Sequence, residues 1–290
     1  MRTYFNLPQE YSDYLSSRYV IVPVPFEGTV SYGKGTAGAP DAICNASHEI
    51  ELYDYELDSE PFEAGISTHK KIVADTPESV ISSLKDAAKK IIADNKIPII
   101  IGGEHSISLG PVTALKNRYP DLSVLQVDAH ADLRDEFDTK KNSHACIMRR
   151  ISDLDIPIVQ VGIRSMSYDE AMLIRSKEIN THIVAAKDIS SSKDRSWIDE
   201  VTKHLSDHVY ITIDVDGLDP SIMPATGTPE PGGILWYDML CLIKQVISSR
   251  KVVGSDIVEL APIEGMHAPD VLCAQLLYKL IGYHKKFSGD

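Results

Sequence analysis

The sequence is poor in the features that would put it outside a cell or against a nucleic acid. Its four cysteines, Cys44, Cys146, Cys241 and Cys273, stand far apart with no CxxC pair. That spacing excludes a disulfide scaffold and a zinc ribbon and fits reduced, mostly buried thiols. Basic residues are outnumbered, 29 Lys and Arg against 42 Asp and Glu, for a net charge of −13. Nucleic acid, whose phosphates need a basic surface, is therefore excluded as a partner. No apolar run approaches the roughly 20 residues of a membrane span, and the opening MRTYFNLPQEYSDY lacks the apolar stretch of a secretory signal. Repeats, low-complexity tracts and linkers are also missing. Asn45-Ala46-Ser47 spells a glycosylation triplet, which in this context is chance. The expectation is a cytoplasmic protein with no membrane contact and a single domain over residues 1–290.

What the chain does have is short apolar runs alternating with helical patterns. Runs at 19–22, 97–101, 122–127, 156–161, 183–185, 209–213 and 252–258 are hydrophobic almost throughout, as suits strands of a parallel sheet covered on both faces. Thr76-Pro77 offers an N-cap and a first-turn proline to a helix carrying Val80, Leu84, Ala87 and Ile91 and ending near Asn95. Further helices are expected at 168–177, 194–205, 235–250 and 269–284, while residues 1–18 show no readable pattern. The alternation predicts an α/β fold, a three-layer α/β/α sandwich with a mostly parallel sheet.

Ligands of such sheets bind beyond the carboxyl ends of the strands. The run at 122–127 leads directly into Asp128, His130 and Asp132, which an extended backbone points to one side. VYITIDVDGLDP delivers Asp214 and Asp216 in the same way, and IPIIIGGEHS delivers His105 after two glycines that let the backbone turn close to a site. Alone, each motif reads as a solvated loop. Three predicted strand ends bringing four aspartates and two histidines to one rim read differently, because gathered carboxylates repel unless cations join them. Oxygen donors with one imidazole per ion favour Mn2+ over zinc. A water shared by two such ions is acidified toward hydroxide. The residues by themselves predict a binuclear metallohydrolase.

With these motifs in place, the sequence resembles the ureohydrolases, the family of arginase and agmatinase. GGEHS at 102–106, DAHAD at 128–132, SHA at 143–145, IDVDGLDPSIMPATGTPEPGG at 213–233 and DIVELAP at 256–262 carry the resemblance across most of the chain. It implies an arginase-like fold and two Mn2+ ions per subunit. His105, Asp128, Asp132 and Asp214 match the ligands of one ion; Asp128, His130, Asp214 and Asp216 match those of the other, with Asp128 and Asp214 bridging. In that family a hydroxide held between the ions attacks the planar guanidinium carbon, and an amine and urea leave. Asp132 would orient the nucleophile and pass a proton to the leaving nitrogen. His144 matches a histidine that shuttles protons or contacts substrate, Thr228 a substrate-contacting position, and Glu259 the carboxylate that holds the guanidinium. Local sequence alone makes His144 a surface imidazole and leaves Glu259 open between this role and a structural ion pair. Family members are commonly trimers or hexamers, so a homo-oligomer is implied.

Differences within the family bear on the substrate. TGTPEPGG at 226–233 is similar to the agmatinase form, LRDEFDTKKNS at 133–143 lacks the arginase loop for an α-carboxylate, and GIRSMS at 162–167 stands where arginases carry aspartates for an α-amino group. The expectation is an agmatinase, converting agmatine and water to putrescine and urea, with Asp135, Glu136 and Asp138 as rim acids or merely a solvated loop. Guanidinobutyrase, arginase and formimidoylglutamase are the alternatives of the same chemistry. An inactive guanidine-binding scaffold and a one-zinc deacetylase of acetylated polyamines are the alternatives outside it. Glu104 replaces the commoner aspartate of GGDH and is expected to act by tuning His105. GTVSYGKG at 28–35 nearly spells a P-loop, but glycine follows Lys34 and GTAGAP is not expected to open a helix, so no nucleotide site is predicted.

Overall fold

The computed structural model describes residues 3–288. Among them, eight strands alternate with helices: β1 (Tyr19–Pro23), β2 (Ile66–Thr68), β3 (Ile97–Ile101), β4 (Ser123–Val127), β5 (Ile158–Ile163), β6 (Thr181–Ala185), β7 (His208–Asp214) and β8 (Lys251–Val258). The helices are α1 (Gln9–Ser12), α2 (Ala39–Ala46), α3 (Pro77–Ala93), α4 (Leu109–Arg118), α5 (Ile147–Ser152), α6 (Tyr168–Ser176), α7 (Ala186–Ser191), α8 (Trp197–His204), α9 (Trp236–Ser249) and α10 (Ala268–Phe287). The strands form one sheet in the order β2-β1-β3-β8-β7-β4-β5-β6. Every pairing within it is parallel.

Side chains alternate across the pleat and thereby divide the interior in two. Tyr19, Ile21, Ile99, Ile101, Ile211 and Ile213 pack with α2, α8, α9 and α10. Val20, Val22 and Ile100 on one part of the sheet, and Val124, Ile158 and Tyr210 on the other, face α3, α4, α5 and α6. The expected three-layer sandwich is what forms. α3 starts as predicted, with the Thr76 hydroxyl accepting the Ser79 N–H and Pro77 in the first turn; its buried stripe runs through Val80, Leu84, Ala88, Ile91 and Ile92. No helix among the described residues is long and apolar enough to cross a membrane.

Three expectations need revision. The N-terminal stretch has structure after all: Tyr4 and Phe5 are buried and α1 follows. The edge strand β2 was missed because three residues, Ile-Ser-Thr, are too few for a periodic signal. GTAGAP does open a helix: Thr36–Gly38 forms a 3-10 turn that continues into α2, where Pro40 sits in the first turn and forfeits no hydrogen bond. The loop is still no phosphate cradle, since Glu27 Oε2 already accepts the N–H of Gly35 at 2.6 Å and of Ala37 at 3.4 Å.

Candidate metal centre

The carboxyl ends of β3, β8, β7 and β4 are four neighbours at the middle of the sheet, and each delivers part of the site. After β3 the chain turns through Gly102 and Gly103; a Cβ on Gly103 would lie 1.9 Å from the Phe26 carbonyl oxygen, so only glycine fits. After β4 the strand ends at Val127, the chain bends at Ala129 with the Asp128 carboxylate accepting the His130 N–H at 2.6 Å, and it reaches a left-handed φ of 53° at Asp132; after β8 Glu259 sits at 65°. Such conformations are unfavourable for residues other than glycine and persist only where surroundings hold them. Both are held: the Asp132 carbonyl accepts from Met148 N at 3.0 Å, and Glu259 N donates to Gly103 O at 2.8 Å.

Two groups of donors result. His105 Nδ1 lies 3.2 Å from Asp128 Oδ2, 3.2 Å from Asp132 Oδ2 and 3.5 Å from Asp214 Oδ2. His130 Nδ1 lies 3.0 Å from Asp216 Oδ2 and 3.6 Å from Asp128 Oδ1. The two oxygens of Asp128 thus face different groups, the geometry of a bridging ligand. Asp214 faces the His105 group through Oδ2, while its Oδ1 accepts the Asp216 N–H at 2.9 Å. Apart from the half-exposed His130, these side chains are buried.

The charges are under strain. Burial, followed by the neighbouring charge of Asp128, pushes Asp132 up to about 7. Burial and the charges of Asp216 and Asp128 hold Asp214 well above the carboxylate range. Burial opposes ionisation of Asp128 as well, but His105 and His130 outweigh it and hold that carboxylate low. Burial likewise opposes charge on the histidines; the aspartates win, raising His130 to about 12 and His105 well above its usual value.

A proton is nevertheless a poor occupant at His105. Its Nδ1 is buried with no hydrogen-bond partner, because no carboxylate lies in line with an N–H there. On the other side of the ring, Nε2 is 2.8 Å from Thr212 Oγ1, and Thr212 donates its only hydrogen to Asp256 Oδ1 at 2.6 Å. Tyr210 donates to Asp256 Oδ2 at 2.7 Å. Thr212 can therefore only accept, Nε2 must carry the hydrogen, and Nδ1 is left with its lone pair among three carboxylates. A divalent cation satisfies all of them together, so the residues present fit a metal pair. A further group, His182, Glu200 and His204 at the sheet's far edge, does not. Its two imidazoles stack face to face at 3.6 Å, and parallel rings cannot both aim a lone pair at one ion.

A cleft of about 220 Å3 opens over the centre, lined by His130, Asp132, His144, Asp214, Thr228 and Glu259 among others. Glu259 Oε1 accepts the His105 N–H at 2.7 Å, and burial with the nearby charge of Glu104 pushes its pKa well up. Thr228 Oγ1 donates to Asp216 Oδ2 at 3.3 Å. His144 is a half-buried wall residue rather than the surface imidazole its local sequence suggested, and burial lowers its pKa. The six candidate metal donors and His144, Thr228 and Glu259 come together at this cleft.

The role expected of Glu104 changes, and of the two readings given for the rim acids the solvated loop is the one that forms. Glu104 makes no hydrogen bond to His105. It accepts Gly28 N at 2.7 Å, Thr29 N at 2.5 Å, Thr29 Oγ1 at 2.6 Å and Ser106 Oγ at 2.6 Å, and so anchors the loop after β1. Asp135, Glu136 and Asp138 do not line the cleft; Asp135 turns outward to Arg150 at 2.8 Å, the behaviour of a solvated loop. Glu170 and Arg134, which sequence reasoning passed over, do line it. Thr212 and Asp256 were missed too, although polar residues inside strand-like apolar runs were a visible sign, since such groups are buried only with partners.

Comparison with known proteins agrees with this geometry. The family model described as the arginase family matches residues 17–282. The N(1)-aminopropylagmatine ureohydrolase of Synechocystis sp. is 37% identical, covering 94% of this chain and 90% of its own. An agmatinase of Pyrococcus horikoshii is 31% identical over 96% of each chain. The crystal structure of the agmatine ureohydrolase of Thermoplasma volcanium superposes with a TM-score of 0.87 at 34% identity, over 95% of this chain and 92% of that one. The chain therefore belongs to the arginase family and is a hydrolase of the ureohydrolase type.

Proposed function

We propose that the protein is an agmatinase that hydrolyses agmatine to putrescine and urea with two Mn2+ ions per subunit. The observation that carries the metal requirement is the buried His105 Nδ1 lone pair facing three carboxylates. His105, Asp128, Asp132 and Asp214 would hold one ion, and Asp128, His130, Asp214 and Asp216 the other. When bound, such a pair neutralises the clustered acids and lowers the pKa of water toward neutrality.

The chain's own groups supply the rest. Glu259, with one oxygen fixed by the His105 N–H, offers the other to a guanidinium N–H, and the arriving cation favours its ionised form. Asp132, which lines the cleft beside the candidate metal donors, can take a proton from water and return it to the leaving amine. His144, kept neutral by burial, is a second acceptor on the cleft wall. The C–O bond forms first and makes the carbon tetrahedral; the C–N bond to the alkyl nitrogen then breaks, the amine leaves with that proton, and the remaining O–H proton passes to the amine or solvent to leave urea.

The cleft favours a substrate without an amino-acid head. Ser165, Met166 and Ser167 line one wall without charge, while Arg134 faces Glu170 across 4.0 Å and Glu170 already accepts the Leu133 and Ser167 N–H groups. A second reading, N(1)-aminopropylagmatine, rests on the name of the Synechocystis relative and shares the same guanidinium end. Urea release from agmatine, N(1)-aminopropylagmatine, arginine, 4-guanidinobutyrate and 3-guanidinopropionate separates these. The highest kcat/KM on agmatine supports the proposal, preference for its aminopropyl derivative selects the second reading, and preference for arginine overturns both. As parts of the same proposal, elemental analysis is expected to give two manganese per chain and light scattering a trimer or hexamer, with the protein at work in the cytoplasm.

A further inference from the structure

Glu104 anchors the loop after β1 rather than His105, and the hydrogens it collects have a consequence for His144. Thr29 Oγ1 donates to Glu104 Oε1 at 2.6 Å, which uses the hydroxyl's only hydrogen. Two backbone N–H groups and the Ser106 hydroxyl also point at this carboxylate, so it acts purely as an acceptor. Thr29 Oγ1 in turn receives the His144 backbone N–H at 3.1 Å and lies 3.2 Å from His144 Nδ1. With its hydrogen committed to Glu104, the Thr29 oxygen presents only lone pairs to the ring. An unprotonated Nδ1 would face them lone pair to lone pair. Ser143 Oγ, 3.3 Å from the same nitrogen, can accept as well as donate and does not oppose this.

We infer that Glu104 and Thr29 are positioning residues that hold His144 as its Nδ1–H tautomer, so that Nε2 meets the cleft as a proton acceptor. The inference rests on the proposed hydrolysis for its catalytic meaning, although the tautomer itself does not. The arrangement links two segments far apart in sequence, the loop following β1 and the segment entering α5, through the residue after Gly103. It also gives Glu104 a reason for its length: the carboxylate must reach both the Thr29 hydroxyl and the Gly28 and Thr29 amides. Neutral histidine chooses between two tautomers, and a hydrogen bond at one nitrogen decides which atom the reaction sees.

Long-range 1H–15N spectra of protein labelled with 15N-histidine, with Mg2+ in place of paramagnetic Mn2+, read the tautomer directly; the signals lost in His144→Gln identify the residue. The expected result is a protonated Nδ1 and an unprotonated Nε2. Thr29→Val removes the oxygen at nearly constant volume and is expected to erase that preference and lower kcat about tenfold or more. KM should stay within about threefold and manganese content should not change, while Thr29→Ser restores both tautomer and rate. Glu104→Gln should reproduce the Thr29→Val spectrum; if it fails to fold, Thr29→Val alone decides. A wild-type His144 protonated at Nε2, or a Thr29→Val enzyme with unchanged tautomer and kcat, overturns the inference. Because the spectra need no substrate, a protein inactive on every guanidine but carrying the Nδ1–H form overturns the proposed hydrolysis and leaves the positioning chain standing.

Discussion

Thr212 joins His105 to Asp256: its hydroxyl lies 2.8 Å from His105 Nε2 and gives its hydrogen to the carboxylate 2.6 Å away. Partners of this kind fix a ligand's orientation and typically change metal affinity by about 10–100-fold when removed. Thr212→Val is therefore expected to weaken binding of the first Mn2+ by about that factor in a calorimetric titration, and Thr212→Ser to stay near wild type. An unchanged titration for the valine variant would remove Thr212 and Asp256 from the account of the centre.

Stability of the chelated protein should depend on pH in an unusual direction. Burial and the charge of Asp128 hold Asp132 at about 7, whereas an unfolded aspartate titrates near about 3.9. The folded state then binds the proton more tightly, so lowering pH from 8 to 5 in EDTA raises Tm. With saturating Mn2+ the trend reverses, because ligands must lose protons to bind. Parallel pH trends with and without metal would contradict the crowding argument.

Glu56 gives an opposite case on the outer face. Burial works against its ionisation, but Lys244, Lys279 and Tyr283 donate to it and hold it at about 2. A depressed acid stabilises the fold above its unfolded pKa and loses that contribution as pH falls toward the folded value. Glu56→Gln should therefore lower stability by about 1 kcal/mol at pH 7, a figure reduced for solvent screening, with the deficit shrinking between pH 4.5 and 2. Urea titrations at pH 7 and pH 3 measure both; equal deficits at the two would rule the charge out.

Gly103→Ala tests how tightly the turn is built. Its Cβ would meet the Phe26 carbonyl oxygen at 1.9 Å, backbone that cannot rotate away. The same peptide is fixed on both sides, Gly103 N donating to Val24 O at 2.9 Å and Gly103 O accepting from Glu259 N at 2.8 Å. A loss of about 3 kcal/mol is expected from such overpacking, seen as a Tm lower by roughly 6 °C or more. A Tm within 2 °C of wild type would mean the turn relaxes freely.

Much of this was legible beforehand because two signals agreed. The seven runs became strands within about two residues of their expected ends; for all but the edge strand β6, burial on both faces demands continuous apolar sequence. The candidate metal donors are visible because they stand where those runs stop. What escaped notice was short or polar. β2 is three residues, and α4 contains Gly110 and Pro111, which argue against a helix until its first turn is seen to need neither a side chain nor an N–H. Thr29, Thr212 and Asp256 act only through partners distant in sequence, and Glu104 was given the wrong partner because its neighbour in the chain, His105, looked nearer than Thr29, which lies 75 residues away.

The sheet order has a consequence for biosynthesis. β8 lies between β3 and β7, so the last strand to leave the ribosome is inserted into the middle of the sheet rather than added to its edge. Until residues 251–258 emerge, the nascent chain cannot join its two halves, and the halves carry different donors: His105 beyond β3, the aspartates beyond β4 and β7. Assembly of the candidate metal centre must then be a late, post-translational event, and a truncated chain stopping before β8 should emerge without a complete donor set and exposed to proteolysis.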